Sequence, residues 1–434
     1  MRPSRRATAV RIASALLVAA LPATLRAQTP QDSARAALDS LGDRLEQAER
    51  RIERLQRQLE DQAQAKIQSR SRNRLEISGL ILFNGFYNST KVNNSDVPTF
   101  VAQPVAADTA LPDPAHVAGQ VRQSRLGFAL SGSRALGADL SAELQLDFYG
   151  GQLPSAGGRT FPLPRIRTAF VKLDWRHIGL LVGQETQIVS PLNPVSFASV
   201  GIPGFTSAGN LWFWVPQLRL TYETGVRPRL GLQAAALAPM LGSAQSAFLT
   251  TADSAERSSR PMVQAHAYIG WGEGDTESQI GVGIHRGWIG TPSGALLASE
   301  AYSADMRLAL GEHIQLLGEA FVNGQALAGL GGGGIGQQFG LSGVPVKTKG
   351  GWVQLNVRPN LMLEFGAGAG IDDPDESLLP PATGRGRNLV YEGHAHLRPG
   401  GGLIVGAEYR RIQTDYAAGA LTAHHVNAFM GVAF

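Results

Sequence analysis

Cysteine is absent from all 434 residues of the chain. Neither a disulfide framework nor a thiolate metal site can therefore stabilise the fold. Charged residues are scarce, at 17%, whereas glycine is abundant, with 52 residues. This balance suits a fold that is held together by backbone pairing and packing, in which strands have one apolar face.

Long apolar runs are also missing, apart from one near the amino terminus. No other window offers the roughly 20 apolar residues that a membrane-spanning helix needs, which argues against a helical membrane protein. The exception, residues 13–21, follows a basic stretch and precedes the small-residue exit Leu25-Arg26-Ala27. This pattern predicts that residues 1–27 are a signal peptide, cleaved after Ala27, and that the mature protein is exported.

A basic surface that could bind nucleic acid is not expected on the main body of the chain. Residues 1–74 hold 15 Lys and Arg against 8 Asp and Glu, whereas residues 75–434 hold 24 against 27. The overall charge of +4 therefore arises in the first part of the chain. A nucleic-acid-binding function is disfavoured for this reason.

Residues 28–67 carry a heptad repeat, in which apolar residues recur at alternating spacings of three and four. This spacing predicts a coiled-coil helix. Leucine dominates the a positions, which disfavours a two-stranded coil and is compatible with a trimer. The alternative is a single amphipathic helix that lies on the surface of the folded domain that follows it. The apolar heptad positions are Leu38, Leu41, Leu45, Ala48, Ile52, Leu55 and Leu59. The helix is followed by a polar, basic linker at residues 68–74.

From residue 75 onward the apolar period changes from about 3.5 to 2. In residues 139–148 every even position is apolar and every odd position is polar. Such alternation predicts strands with one apolar face and one wet face. Sixteen candidate strands follow, near 75–87, 120–133, 138–149, 164–175, 178–188, 211–224, 229–238, 261–272, 276–288, 297–310, 312–325, 347–358, 360–372, 386–398, 401–414 and 421–434.

The connections between these strands alternate between short turns and long loops. Transmembrane β-barrels show this asymmetry, with short turns on the periplasmic side. A soluble β-sandwich is the alternative, but it must cover or charge its edge strands. In lipid, only helices or closed barrels satisfy every backbone group. The predicted long loops are 88–119, 150–163, 189–210, 239–260, 289–296, 326–346, 373–385 and 415–420.

The sequence therefore predicts an all-β fold, a transmembrane antiparallel β-barrel of about sixteen strands over residues 75–434. An even number of strands places both ends of the barrel on one side, where a periplasmic coiled coil would precede the first strand. The protein is expected in the bacterial outer membrane, in contact with its lipid. The last strand ends at Phe434, and this ending resembles the signal read by the bacterial barrel-assembly machinery.

In such a barrel, the residues opposite the lipid-facing positions line the lumen. Loop 189–210 is too apolar for an ordinary exposed loop, so we expect it to fold against the wall and narrow the lumen. An outer loop at a subunit contact is the alternative. On the strand near 164–175, Ile166 and Phe170 are expected to face lipid. The predicted pore-lining and constriction residues are Arg125, Glu143, Asp147, Arg165, Arg167, Pro194, Phe197, Arg219, Arg307, Arg358 and Arg410.

The run Gly183-Gln184, then Pro191, then Pro216-Gln217-Leu218-Arg219 resembles the segment around the constriction loop of DcaP-like trimeric porins. The resemblance implies a sixteen-stranded barrel behind a periplasmic coiled coil, and a homotrimer that passes small, often negatively charged solutes such as dicarboxylates. Glu185 and Thr186 stand where that family tends to show an aromatic residue, and Trp214 stands where it usually has an arginine. The missing positive charge implies a weaker anion preference.

The predicted function is passive diffusion of small hydrophilic solutes, without catalysis and without a cofactor. A metal site is not expected, because His394 and His396, or His424 and His425, show no nearby carboxylate constellation in the sequence. Two other function classes stay open. One is an outer-membrane barrel enzyme of phospholipase or protease type, which needs a nucleophile beside a histidine such as His266 or His285. The other is a structural or adhesive barrel with a plugged lumen.

The tryptophans near the predicted strand ends are expected to lie in an aromatic girdle at the membrane interface. They are Trp212, Trp214, Trp271, Trp288 and Trp352.

Overall fold

The computed structural model describes residues 73–104, 114–150, 162–225, 227–240, 252–291 and 294–434. The predicted signal peptide and coiled coil lie outside these residues. Within the described ranges, no helix has the length and apolar character needed to cross a membrane.

The described residues form one antiparallel sheet of seventeen strands, each next to its neighbours in the chain. Five short 3-10 turns lie between strands, at Glu256–Ser258, Gly274–Thr276, Ala328–Leu330, Leu341–Gly343 and Glu376–Leu378. The strands are β1 (Arg74–Asn88), β2 (His116–Gln120), β3 (Arg125–Ala135), β4 (Ala138–Gly150), β5 (Leu163–Asp174), β6 (Ile178–Thr186), β7 (Trp214–Glu223), β8 (Arg229–Leu237), β9 (Met262–Trp271), β10 (Ser278–Gly290), β11 (Leu296–Ala309), β12 (Ile314–Gln325), β13 (Lys347–Val357), β14 (Leu363–Pro374), β15 (Arg385–Gly400), β16 (Leu403–Tyr416) and β17 (Gly419–Ala433).

The sheet closes on itself through β1. One edge of β1 pairs with β17, where Leu80 lies opposite Ala433 and Asn88 lies opposite His425. The other edge pairs with β2 and then with β3. These two strands together occupy one position, interrupted at residues 121–124, so the structure is a closed barrel of sixteen strands. The predicted fold is confirmed.

Side chains alternate between the two faces of the barrel. On β1, Leu82 is fully buried, whereas its neighbours Ile81 and Phe83 are 63% and 54% exposed. A closed belt of exposed apolar side chains needs hydrocarbon around it, as in a transmembrane barrel. Other members of this belt are Val171, Val182, Leu218, Leu220, Leu232, Val282, Ile284, Val322, Val353, Phe365, Tyr391, Tyr409, Val426 and Met430.

The two ends of the barrel differ as predicted. At one end the strands are joined by short turns, such as 136–137 and 401–402, and we call it the short-turn end. At the other end lie long connections, among them 187–213 and 326–346. We call this the long-loop end.

One register prediction, on β5, is wrong. Gln145 of β4 lies opposite Thr168, but Leu146 lies opposite Ile166, so Arg167 is an extra residue in β5. A bulge of this kind moves the residues beyond it to the other face of the sheet. Arg165 and Arg167 still point inward, and Ile166 faces outward as expected. Beyond the bulge, however, Phe170 shares the inner side of Glu143, and Val171 is 49% exposed on the outer face.

Candidate functional site

Residues 187–213, between β6 and β7, fold into the barrel, and we call them the inner loop. Their hydrogen bonds go to side chains on the inner face of distant strands. The N–H of Ile188 donates to Gln264 on β9 at 2.9 Å, and the N–H of Val195 donates to Gln354 on β13 at 2.7 Å. The loop therefore passes along much of the inner wall.

Two buried glutamates anchor the inner loop. Glu319 on β12 accepts a hydrogen bond of 2.6 Å from the N–H of Leu192 and another from the Ser190 hydroxyl. Glu408 on β16 accepts from the N–H of Phe197 at 2.6 Å. A loop inside a barrel has no strand partner for its backbone, and buried N–H groups need acceptors. The two carboxylates supply them.

Gln123 holds the far arm of the inner loop from the gap between β2 and β3. Its side chain accepts from the N–H of Val200 at 2.6 Å and donates to the carbonyl of Ala198 at 2.9 Å. The interruption of the barrel strand at residues 121–124 therefore coincides with a side chain that binds the loop.

Two tryptophans pack against the loops instead of lying at a membrane interface. Trp352 is 4% exposed, stacks on Phe205 of the inner loop at 5.7 Å between ring centroids, and donates from Nε1 to Glu319 at 3.1 Å. Trp212 is also buried. The predicted aromatic girdle is wrong for both, because their position near strand ends does not reveal that a loop covers them.

The sequence motif around residues 183–219 fixes the start of the inner loop. The Gln217 side chain donates to the carbonyl of Glu185 at 2.8 Å. Arg219 donates to the carbonyl of Thr186 and lies 3.1 Å from the Glu185 carboxylate. These contacts hold the end of β6 where the chain turns into the barrel.

Gly183 is required at this point. Its φ is 137°, and a Cβ there would lie 2.2 Å from the carbonyl oxygen of Ala169. We predict that Gly183→Ala separates β5 from β6 and lowers the free energy of unfolding by about 3 kcal/mol. Thermal unfolding in detergent measures this loss. At Gly393 a Cβ meets only an atom at 3.6 Å, so Gly393→Ala is the control, and equal melting of the two variants would contradict the prediction.

Arg165 and Arg167 connect the wall to the inner loop. Both contact the carboxylate of Asp147 on β4, at 2.6 and 3.3 Å. They also donate to loop carbonyls, Arg165 to Gly201 and Arg167 to Val200, each at 2.5 Å. Residues separated by one position in a strand share a face, so both arginines point to the same side. The bulge then turns the next residue, Thr168, inward as well, and its hydroxyl donates to Glu143 at 2.9 Å.

Trp214 lies over these two guanidinium groups. Its ring centroid is 4.3 Å from Arg167 and 5.1 Å from Arg165. Such cation–π contacts are worth about 0.5–2 kcal/mol each. In the DcaP-like pattern an arginine stands at the position of Trp214. Here Trp214 packs against Arg165 and Arg167, so β5 supplies the positive charge at this place.

In several ion pairs of the inner wall, the arginine is more exposed than its carboxylate. Arg165 is 27% exposed and its partner Asp147 is 0% exposed. Near the short-turn end, Arg358 is 41% exposed and Arg398 is 33% exposed, while Glu364, which both contact, is 0% exposed. Water in the lumen therefore meets these guanidinium groups more than the carboxylates that neutralise them.

Other pairs depart from this pattern, among them Arg229 with Glu277, which are 35% and 41% exposed. Arg219 is 13% exposed against 21% for Glu185. Arg410 is 3% exposed and lies 3.3 Å from Glu392 beneath the inner loop. Arg410 and Asp147 were expected to line the pore, but both are buried, because the loop covers Arg410 and two arginines cover Asp147.

The other predicted site residues lie on the inner face or in the inner loop. Arg125, Glu143 and Arg307 are partly exposed on the inner face, and Pro194 and Phe197 are partly exposed in the loop. A polar cavity of about 270 Å³ lies beside the start of the loop. It is lined in part by Arg219, Arg307, Glu185, Tyr268 and Gln233.

The described histidines give no support to a barrel enzyme. His285 Nε2 lies 3.2 Å from the Ser299 hydroxyl, but both residues are 1% exposed, and Ser299 donates to the carbonyl of Ala326. His266 Nε2 lies 2.6 Å from Asp305, and its Nδ1 is buried without a hydrogen-bond partner. Neither nitrogen of His266 is therefore bonded to a serine or threonine hydroxyl. Substrate could not reach the buried pair of Ser299 and His285.

The expectation that His394 and His396 lack a carboxylate is wrong. Glu364 on β14 lies opposite His396 on β15, and ligand atoms of all three residues lie within 4.8 Å of one another. Glu364 precedes the two histidines by about thirty residues in the chain, so only the strand register reveals the cluster. His424 and His425 point to opposite faces, since His424 is exposed and His425 is 0% exposed.

No protein-family model and no curated protein sequence matches the chain. Among solved structures, the outer membrane channel DcaP of Acinetobacter baumannii is similar, with a TM-score of 0.62 at 16% identity over 84% of this chain and 99% of that chain. An anion-selective porin from Comamonas acidovorans has a TM-score of 0.52 at 12% identity over 83% of this chain and 100% of that chain. Salmonella typhi OmpF, in complex with daunomycin, has a TM-score of 0.53 at 11% identity over 84% of this chain and 99% of that chain. The predicted likeness to DcaP-like porins is confirmed for the fold.

Proposed function

We propose that the protein is an outer-membrane porin, through which small hydrophilic solutes diffuse passively. The observation that carries this proposal is the inner loop. A closed barrel with an apolar outer belt and a polar inner wall spans a membrane around a lumen. A loop bound to the inside of that wall narrows the lumen at a defined place and gives it a filter of fixed side chains.

Anionic solutes, of which dicarboxylates are the expected type, are the favoured substrates in this proposal. Its support is the unequal exposure of the ion pairs, with Arg165, Arg358 and Arg398 in contact with water and their carboxylates buried. Charge that faces a narrow aqueous pore sets ion preference through the local field. The structural similarity to a porin described as anion-selective agrees with this direction.

Ion selectivity tests the proposal. We expect the purified protein in a planar bilayer under a salt gradient to give a reversal potential of the sign for anions. Arg219→Ala should shift that potential modestly toward cations, because Arg219 is only 13% exposed and is paired with Glu185. Arg411, on the outer face beside Tyr409, offers a matched control, and Arg411→Ala should leave the potential unchanged. A cation-selective wild type would overturn the anion proposal.

Assembly as a homotrimer in the bacterial outer membrane is part of the same proposal. The heptad pattern of residues 28–67 supports it, and the proposal includes a coiled coil of these residues in the periplasm. The proposal includes assembly by the barrel machinery. In the folded barrel, the Phe434 backbone exchanges two hydrogen bonds with Gly79, at 2.9 and 3.1 Å, and completes the closing seam between β1 and β17.

A plugged structural barrel is the second candidate function. The observation that favours it is the extent of the inner loop, which contacts β9, β12, β13 and β16 and buries Phe205 against Trp352. The two candidates differ in one property, since a plugged barrel conducts no ions.

A further inference from the structure

We propose that Glu364, His394 and His396 bind a divalent transition-metal ion, with zinc as the best fit, on the inner wall below the inner loop. All three residues are buried. Two imidazole nitrogens and one carboxylate oxygen are ligands that suit zinc, and the set is poorly suited to calcium or magnesium, which prefer oxygen.

The distances fit one ion. Two ligand atoms that are each about 2.0–2.2 Å from a tetrahedral zinc ion lie roughly 3.4 Å from each other. His396 Nδ1 is 3.3 Å from Glu364 Oε1, and His394 Nε2 is 3.7 Å from the same oxygen. The imidazole rings are stacked, with centroids 4.1 Å apart and an angle of 12°. Since a metal ion lies in the plane of each imidazole that binds it, one ring must rotate for the two nitrogens to meet at one ion.

An unpaired polar atom points into this cluster. His394 Nε2 has no hydrogen-bond partner, although its side chain is 2% exposed. Leaving a buried polar group unpaired costs about 1–3 kcal/mol. A Cβ on Gly366 would lie 2.5 Å from this nitrogen and 2.6 Å from Asn356 Oδ1, and that oxygen is also without a partner. Glycine at 366 therefore lets the His394 ring pack directly against the backbone of β14, beside a second unpaired polar atom.

The surroundings orient the ligands. Glu364 Oε2 is held by Arg358 at 2.5 Å and Arg398 at 3.2 Å, which leaves Oε1 directed at the histidines. His396 Nε2 lies 3.2 Å from Glu408, so this carboxylate can accept the N–H while Nδ1 binds metal. Zinc-binding histidines are commonly oriented in this way by a second carboxylate. Glu408 also offsets part of the arginine charge beside the ion.

The test uses the full chain, purified in detergent and stripped of metal with a chelator. Titration with cobalt(II) should give the visible absorption bands of a tetrahedral site with nitrogen ligands, saturating at one ion per chain, and zinc should displace the cobalt. The absence of these bands at one equivalent would overturn the proposal. Since the readout is metal binding alone, its result is independent of whether the barrel conducts.

His394→Ala is the informative variant, because its Nε2 makes no hydrogen bond that the fold would lose. Loss of this ligand should weaken cobalt and zinc binding by roughly 100-fold, the upper end of what loss of an orienting partner alone causes. His424→Ala removes an exposed imidazole on the outer face and should bind as the wild type does. Equal affinity of the His394→Ala variant and the wild type would refute the assignment.

Gly366→Ala separates the metal site from the mere presence of histidines. All three ligands remain, but the added methyl group would overlap the His394 ring and push its Nε2 away from Glu364. We expect metal binding to fall as in His394→Ala. Unchanged metal binding in Gly366→Ala would mean that the ion lies elsewhere, and it would contradict the proposed site.

Discussion

Removing most of the inner loop should raise the single-channel conductance several-fold. The expected variant joins Pro191 to Asn210 through a short Gly-Ser linker, which deletes the segment that contacts Gln354, Glu408 and Gln123. An aqueous pore conducts in proportion to its open cross-section, and this segment occupies the lumen. Recordings in planar bilayers measure the change. Unchanged conductance in a correctly folded variant would mean that the loop does not limit the flow of ions.

A milder change tests the same loop without shortening the chain. In Glu319→Gln/Glu408→Gln each anchor exchanges one acceptor oxygen for an NH2 group that faces a donor of the loop, and leaving a buried donor unpaired costs about 1–3 kcal/mol. We expect frequent transitions between conductance levels, because the loop is held less firmly. Glu143→Gln is the matched control, since its carboxylate accepts hydrogen bonds from Thr168 and Gln145 on the wall and not from the loop. Equally noisy channels in the control would contradict the anchoring role.

Neutralising Arg165 should produce the largest shift in ion selectivity among single substitutions. Arg165 is 27% exposed beside the inner loop, and Arg167 stays to pair with Asp147. A unit charge about 4 Å from an ion in water is worth about 1 kcal/mol, favourable for an anion and unfavourable for a cation. In Arg165→Gln the permeability of anions should therefore fall and that of cations rise, each roughly fivefold, so that their ratio falls about 25-fold. The reversal potential in a salt gradient measures this ratio.

The opposite substitution provides the control for sign. Asp147→Asn removes the carboxylate that Arg165 and Arg167 share, and it should shift the reversal potential toward anions. A shift in the same direction for Arg165→Gln and Asp147→Asn would point to a general disturbance of the pore. In that case the electrostatic explanation would be abandoned.

The positions of the strands could be predicted from the sequence alone. The segment predicted at 347–358 forms β13 at Lys347–Val357, and the segment predicted at 164–175 forms β5 at Leu163–Asp174. The reason is physical, since each strand meets hydrocarbon on one side and a polar interior on the other, and this imposes the two-residue period.

Local departures from the pattern could not be predicted, because they depend on distant parts of the chain. The bulge at Arg167 turns Phe170 to the inner side and Val171 to the outer face of the barrel. The break at residues 121–124 places Gln123 against the inner loop. The two-residue apolar period of a strand predicts neither the bulge nor the break.

The candidate site was predicted in part. The loop and the charged strand residues follow from composition and alternation. Their exposure does not, because Arg410 and Asp147 are covered by groups that only the folded chain brings near. The cluster of Glu364 with His394 and His396 depends on the register between β14 and β15, which periodicity leaves open.

Conductance of the purified protein in a planar lipid bilayer tests the channel proposal most directly. We predict stepwise increases in current on insertion, and closure in three equal substeps if three barrels insert as one trimer. Folded protein, shown to be in the bilayer, that leaves the current at the level of the bare membrane would contradict the porin function and favour the plugged barrel.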